Sequence, residues 1–127
     1  MQNKKILIVD DDSFLLDMYA LKFSQSGFDV MTGLGAAPAL EKLKGGYVPD
    51  IILLDIVMPG MDGFEFLNKM KAGSLAAKAV KVILSNRGAD TDIKRGMELG
   101  AAGYIVKAST TPAEVLVQVN AIAAKNT

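Results

Sequence analysis

Short apolar runs alternate along this chain with longer segments whose apolar residues recur at helical spacing. The runs are four or five residues long, turn formers bound most of them, and they cover residues 6–9, 28–32, 51–54, 80–84 and 103–106. The runs 6–9 and 51–54 are unbroken, and such runs are typical of strands that are buried on both faces of a parallel sheet. The pattern therefore predicts five short strands, with the run at 51–54 in the middle of the sheet.

Helix signals fill the intervals between these runs. The expected helix caps are, in chain order, Asp12 or Ser13, Asp62, Asp90 or Thr91, and Thr111 followed by Pro112. The expected apolar face of the first helix consists of Phe14, Leu15, Met18, Leu21 and Phe23. Since helices and strands alternate with short connections, we expect an α/β fold: a doubly wound five-stranded parallel sheet with five helices, formed by residues 1–127 as one domain.

Composition and charge narrow the functions that are open to such a domain. The 14 basic and 14 acidic residues give a formal net charge of zero, so no general field attracts nucleic acid or an anionic membrane. The absence of cysteine and histidine excludes disulfides, thiolate nucleophiles and the commonest zinc ligands. Because no apolar run is long enough for a membrane span or a signal peptide, we expect a soluble cytoplasmic protein.

Charged and polar residues follow four of the predicted strands at the point where each strand ends. They are Asp10 and Asp11, Asp55, Ser85, and Lys107. Each acid taken alone is typical of a helix cap or a turn, but the carboxyl ends of parallel strands share one edge of the sheet. Carboxylates about 4–6 Å apart repel one another by about 4 kcal/mol per pair. The cluster therefore predicts a hard divalent cation, most simply Mg²⁺, with the Lys107 ammonium offsetting the remaining charge.

These residues and their surroundings resemble the receiver domain of bacterial two-component response regulators. The resemblance covers residues 4–123, and the matching segments are 8–11 (IVDD), 55–63 (DIVMPGMDG), Ser85 and 100–107 (GAAGYIVK). Each segment is moderately specific, whereas their combination in this order is highly specific. The resemblance implies the flavodoxin-like strand order 2-1-3-4-5. It also implies a phosphorylation-activated signalling switch, whose only catalysis is its own phosphorylation and dephosphorylation.

The resemblance also assigns roles to the residues at the strand ends. Asp55 is expected to be the phosphoacceptor, which a histidine kinase or a histidine phosphotransfer protein would phosphorylate. Mg²⁺ is expected to bind Asp11, Asp55 and the backbone carbonyl of Val57. Asp10 would assist through water, and Lys107 would pair with the acceptor site.

Two further residues are expected to carry the switch. Ser85 would bind the phosphoryl group and draw its loop inward, after which Tyr104 would turn from an outward to an inward position. This change would reshape the face formed by the fourth helix, the fifth strand and the fifth helix. That face would contact an unidentified downstream protein or support a phosphorylation-dependent homodimer. Because the chain stops just past the last predicted helix, we expect no output domain and no direct binding of nucleic acid or membrane.

Four positions bear on how the site is tuned. Ala108 replaces the proline that usually follows the lysine, so we expect a trans Lys107–Ala108 bond and some rearrangement of the loop. Asn86 stands where the family commonly has alanine, and its amide either contacts the phosphoryl group or hinders the loop. The resemblance implies that the side chains of Val57 and Arg87 face the phosphorylation site. An apolar Val57 would not orient an attacking water, whereas Arg87 could shield or bind phosphate. We therefore expect slow loss of phosphate.

Two other functions remain open at this point. The first is a receiver-like interaction domain that works without phosphorylation, which only Ala108 and Asn86 favour, because the acidic site is complete. The second is a phosphatase or mutase that forms an aspartyl phosphate. That class normally carries a second acid two residues after the nucleophile, where this chain has Val57.

Overall fold

A computed structural model describes residues 3–126 and contains one parallel sheet of five strands. The strands are β1 (Lys5–Asp10), β2 (Asp29–Leu34), β3 (Ile51–Leu54), β4 (Val80–Ser85) and β5 (Gly103–Val106). The helices are α1 (Ser13–Gln25), α2 (Ala36–Lys44), α3 (Gly63–Ala72), α4 (Asp90–Glu98) and α5 (Pro112–Lys125). The order β2-β1-β3-β4-β5 confirms the predicted flavodoxin-like topology.

The sheet separates two apolar layers, because successive residues of a strand point to opposite faces. Leu7 and Ile52 lie in the layer covered by α2 and α3. Ile6 and Ile51 lie in the layer covered by α1 and α5. Burial on both faces explains why the inner strands β1 and β3 carry unbroken apolar runs, whereas the edge strand β2 alternates between exposed and less exposed positions.

The buried face of α1 differs from the predicted one. Leu16, Tyr19 and Phe23 are buried against the sheet, whereas Phe14 and Leu21 are 76% and 61% exposed. Residues 16, 19 and 23 follow the three- and four-residue spacing of a single helix face, and positions two residues away point to the opposite side. The predicted face was therefore wrong for Phe14 and Leu21, which lie on the outer surface.

Strand β2 begins at Asp29 and ends at Leu34, so it lies later in the chain than the predicted 28–32. The cause is the way in which α1 ends. The backbone N–H of Phe28 donates to the carbonyl of Phe23, and Gly27 adopts a φ of 91° that closes this turn. The rings of Phe23 and Phe28 also meet edge to face, with their centroids 5.2 Å apart. Phe28 therefore belongs to the helix end and not to the strand.

The helix caps were predicted correctly for three of the four helices. Asp12 and Asp62 accept the N–H of Leu15 and Glu65, and Thr111 forms a complete capping box with Glu114. The prediction was wrong for α4. The cap of this helix is Ala89 and not Asp90 or Thr91, so no side chain caps it. Within residues 3–126 no helix has both the length and the hydropathy that crossing a bilayer requires.

Candidate functional site

Three carboxylates meet at the carboxyl edge of the sheet, as the strand ends predicted. Asp10 is the last residue of β1, Asp11 follows it, and Asp55 directly follows β3. Carboxylate oxygens from all three lie within 4.8 Å of one another. Asp10 and Asp55 are buried, whereas Asp11 is exposed and leaves one side of the cluster open to solvent. Oxygen ligands at this spacing suit a hard divalent cation such as Mg²⁺.

Lys107 joins two of these carboxylates. Its Nζ donates to Asp10 Oδ2 at 2.7 Å and to Asp55 Oδ2 at 2.9 Å. Burial lowers the pKa of the Lys107 ammonium, but the hydrogen bonds and charges of the two carboxylates outweigh this effect, so the pKa lies above its usual value. The side chain is only 8% exposed. A fixed positive charge therefore lies between the two buried carboxylates of the acidic cluster.

The surroundings of Asp10 favour the neutral form of its carboxyl group more than water does. Burial raises the pKa of Asp10, although the bonds from Lys107 and from the backbone N–H of Asp12 oppose the shift, and the charge of Asp55 adds to it. The N–H of Asp12 donates to Asp10 Oδ1 at 3.0 Å. A carboxylate crowded by a second carboxylate in a buried site gains from any added cation.

The Asp55 side chain is held by the loop that follows it. Its Oδ1 accepts the backbone N–H of Ile56 at 2.7 Å and that of Val57 at 3.3 Å. The loop is kept close by Gly63, since a Cβ at this position would collide with the Asp55 carbonyl and lie 2.8 Å from Ile56 Cα. Gly60 supplies the φ of 81° that turns the chain back. The two glycines therefore help to fix the orientation of the Asp55 carboxylate.

Ser85 and Tyr104 are both connected to the loop between β4 and α4. Ser85 is fully buried, and its Oγ accepts the backbone N–H of Arg87 at 3.2 Å. The Tyr104 hydroxyl donates to the Arg87 carbonyl. Burial raises the pKa of Tyr104, as does the Asp92 charge, so the hydroxyl remains a donor at neutral pH. Tyr104 is half-buried and packs against the core on the α3 side of the sheet.

The sequence of this chain matches the profile of the response regulator receiver domain over residues 6–120. The chain belongs to the response regulator receiver domain family. Family members of this kind are regulatory domains of two-component systems. The resemblance read from the strand-end residues is thus confirmed.

Curated relatives include the phosphate regulon transcriptional regulatory protein PhoB of Escherichia coli K12, which is 32% identical to this chain over 119 residues. The alkaline phosphatase synthesis transcriptional regulatory protein PhoP of Bacillus subtilis is 34% identical over 120 residues. Each alignment covers 94% of this chain but only 51% of PhoB and 48% of PhoP. The chain therefore spans about half the length of the curated relatives that it matches.

Solved structures match nearly the whole receiver domain. A CheY-like receiver domain protein from Methanospirillum hungatei JF-1 superimposes with a TM-score of 0.86 at 27% identity, covering 98% of this chain and 96% of the other. This agreement supports the flavodoxin-like arrangement of strands and helices described above.

The segment after Lys107 accommodates the missing proline without a cis bond. The Lys107–Ala108 peptide is trans, as predicted, since residues 3–126 contain no cis peptide bond. Lys107–Ser109 forms a short 3-10 turn, and the hydroxyl of Thr110 donates to the Val106 carbonyl at 2.7 Å. The backbone thus leaves β5 in a turn that keeps the lysine side chain in the acidic cluster.

The other three tuning positions, Val57, Asn86 and Arg87, lie in different surroundings. Val57 follows closely after Asp55 and is 55% exposed at the rim of the site. Asn86 is exposed. The guanidinium of Arg87 pairs with Asp92 at 2.6 Å, and within residues 3–126 it forms no ion pair with the acidic cluster. Sequence reasoning missed Asp92 as the partner of Arg87, because an acid in the first turn of a helix is equally typical of a dipole interaction.

Proposed function

We propose that this receiver domain is a switch that accepts a phosphoryl group on Asp55 in a Mg²⁺-dependent reaction. The observation that carries the proposal is the double ion pair of Lys107, which holds one ammonium between the Asp10 and Asp55 carboxylates. Such an arrangement neutralises part of the acidic cluster while leaving a charge available for a phosphoryl oxygen. Ser85, buried at the end of β4, supplies a hydroxyl at the same edge.

The chemistry requires an attack by an Asp55 carboxylate oxygen on the phosphorus of a donor. The new O–P bond forms as the bond from phosphorus to the leaving group breaks, so that the leaving group departs with the electron pair. Lys107 stabilises the charge on the equatorial phosphoryl oxygens, and the Ser85 hydroxyl donates to one of them. Asp10, Asp11, Asp55 and the backbone carbonyl of Val57 would hold Mg²⁺, which supplies further positive charge to those oxygens when bound.

A protein donor would dock beside this edge. Phe14 is 76% exposed in the first turn of α1, three residues after Asp11. A large exposed apolar side chain next to an acidic site suits recognition by a histidine kinase or a phosphotransfer protein. Phe14→Ala is therefore expected to reduce phosphorylation by a protein donor and to leave phosphorylation by acetyl phosphate unchanged. Leu21→Ala is the matched control, because Leu21 is also exposed on α1 but lies two turns farther from Asp11.

The output would pass through the face formed by α4, β5 and α5. Tyr104 lies on β5 and already bonds the loop before α4, so a change at Ser85 reaches this face through one connected segment. Val117 on α5 is 66% exposed and adds an apolar position for a downstream protein or a second copy of the chain.

The deciding experiment is incubation of the purified chain with Mg²⁺ and acetyl phosphate, followed by intact-mass and peptide analysis. We expect one phosphoryl adduct, located on Asp55 and absent without Mg²⁺. Asp55→Asn should abolish it. Asp12→Asn is the matched control, because Asp12 caps α1 beside the cluster and is not among the three clustered acids. Absence of an adduct in the unaltered chain would leave an interaction domain that works without phosphorylation.

A further inference from the structure

Arg87 makes contacts in four directions from the loop between β4 and α4. Its N–H donates to Ser85 Oγ at 3.2 Å, and its carbonyl accepts from the Tyr104 hydroxyl. Its guanidinium donates to Asp92 Oδ1 at 2.6 Å. The guanidinium carbon also lies 5.9 Å from the centroid of the Phe64 ring. One residue thus contacts both proposed switch side chains and the first turns of α3 and α4.

The ring of Phe64 gives this side chain a fixed support. Phe64 is fully buried in the first turn of α3, directly after the loop that orients Asp55. The Arg95 guanidinium lies 4.3 Å from the centroid of the same ring. A guanidinium above an aromatic face is attracted by the ring electrons, and a buried ring cannot move away from it. The loop side chain therefore rests against a rigid part of the acidic site.

The Tyr104 ring has little freedom on the other side of the loop. It packs over Gly96 of α4, where an added Cβ would lie 3.5 Å from Tyr104 Cδ2 and 2.5 Å from Ile83 Cδ1. The absence of a side chain at this position lets the helix approach the ring. With its hydroxyl on the Arg87 carbonyl, Tyr104 is held at both ends.

We propose that Arg87 is a positioning residue, whose side chain fastens the β4–α4 loop to Asp92 and Phe64 and thereby holds Ser85 and Tyr104 in place before a phosphoryl group binds. The inference rests on the proposed function, since it concerns how the phosphoryl site is prepared. A loop that is ordered in the free protein loses less entropy on binding, so the fastening raises affinity for the phosphoryl group.

The alternative is a direct contact between Arg87 and the phosphoryl group, for which the removal of Asp92 should have the opposite effect on affinity. If Arg87 acted by binding phosphate, removal of Asp92 would release the guanidinium and leave affinity unchanged or increased. If Arg87 acts by fastening the loop, removal of either partner weakens binding, and removal of both weakens it no further than the stronger single change.

The test measures the affinity for beryllofluoride in the presence of Mg²⁺ by calorimetry. We expect Arg87→Ala and Asp92→Ala each to weaken binding by about threefold to tenfold, and the double variant to be no weaker than the more affected single variant. Asp90→Ala removes an acid from the same helix turn, and Arg95→Ala removes the other cation above Phe64; both should change affinity by less than about twofold. Loss of affinity in Arg87→Ala alone, or in neither variant, would overturn the proposal.

A second measurement separates this inference from the proposed function. The chain has three tyrosines, so selective ¹³C labelling gives few ring signals, and Tyr104→Phe identifies the one of interest. Without any ligand, the Tyr104 signal should shift in Arg87→Ala and Asp92→Ala and stay unchanged in Asp90→Ala. If the unaltered chain fails to bind beryllofluoride, the proposed function fails, whereas an unshifted Tyr104 signal in the first two variants defeats the positioning role. Arg87→Gln replaces Arg87→Ala if thermal unfolding shows that the alanine variant is unfolded.

Discussion

The ammonium of Lys107 lies 2.9 Å from a carboxylate oxygen of Asp55, although 52 residues separate the two in the chain. The same ammonium lies 2.7 Å from Asp10. All three side chains are less than 10% exposed, so solvent screens these attractions only weakly. The acidic edge of the sheet is therefore compatible with a stable fold largely through one cation that arrives from β5.

Replacement of Lys107 by methionine should destabilise the protein when no divalent cation is present. The methionine keeps much of the side-chain volume but leaves the Asp10 and Asp55 carboxylates without their counter-charge. Removing one partner of a buried pair costs about 3 kcal/mol in the free energy of unfolding. Urea unfolding in the presence of a chelator measures this difference.

Mg²⁺ provides the internal check on that prediction. A cation that binds only the folded state at a hundred times its Kd adds about 2.7 kcal/mol to the free energy of unfolding. We expect this gain to be larger in Lys107→Met than in the unaltered chain, because the ammonium no longer competes for the carboxylates. Lys125→Met, on the exposed end of α5, is the control and should respond to Mg²⁺ as the unaltered chain does. Equal gains in Lys107→Met and the control would contradict the argument.

Replacement of Gly96 by alanine should destabilise the protein, although alanine is the better helix former by about 1 kcal/mol. The added Cβ would lie 2.5 Å from Ile83 Cδ1, in a layer where Ile83 is fully buried. Overpacking of this kind costs about 1–3 kcal/mol, so we expect a net loss of about 1 kcal/mol. Thermal or urea unfolding measures it, with Lys94→Ala on the exposed side of α4 as the control. A more stable Gly96→Ala variant would show that α4 is free to move away from the sheet.

Much of the fold could be predicted because the local apolar pattern of several segments was compatible with only one type of secondary structure. The apolar run 51–54 coincides with β3, since turn formers bound it and both faces of the central strand are covered. The meeting of Asp10, Asp55 and Lys107 then followed from parallel strands alone, without any knowledge of the loops. The family resemblance was needed only for the roles of these residues.

Other features depended on tertiary geometry that no local pattern carries. The first helix has apolar residues on several sides, so its pattern could not exclude Phe14 and Leu21 from the buried face. The pairing of Arg87 with Asp92 depends on the path of the loop between them, which the sequence does not specify. The close approach of α4 to the sheet depends on Gly96, a residue that disfavours a helix when it is judged from the local sequence alone. In each case the packing of an element against its neighbours decided what the sequence left open.

The capping box of α5 should make stability depend on pH in the acidic range. Hydrogen bonds from the Thr111 backbone and hydroxyl hold the pKa of Glu114 below its ordinary value of 4.5. A carboxylate whose pKa is lowered by folding contributes stability above its unfolded pKa and loses that contribution as pH falls through the folded pKa. The unaltered chain should therefore exceed Glu114→Gln in stability at neutral pH, and the difference should vanish in acid.

The check is a pair of urea unfolding series from neutral to acidic pH. Glu41→Gln serves as the control, because Glu41 lies in the second half of α2, away from any helix N-terminus. A difference that depends on pH in the same way for both variants would assign the effect to general charge and not to the capping box.

The side chain of Val57 should slow the loss of phosphate from Asp55. Val57 is 55% exposed, lies two residues after the acceptor, and offers no atom that can hydrogen-bond an attacking water. Val57→Gln adds an amide that can orient this water, so we expect hydrolysis to accelerate about tenfold, which corresponds to about 1.4 kcal/mol in activation free energy. The measurement is the decay of the Asp55 adduct after removal of acetyl phosphate, with Mg²⁺ kept constant. Val117→Gln makes the same change at an exposed valine of α5 and should leave the decay unaltered. Rapid decay in the unaltered chain, or equal decay in the two variants, would mean that another group positions the water.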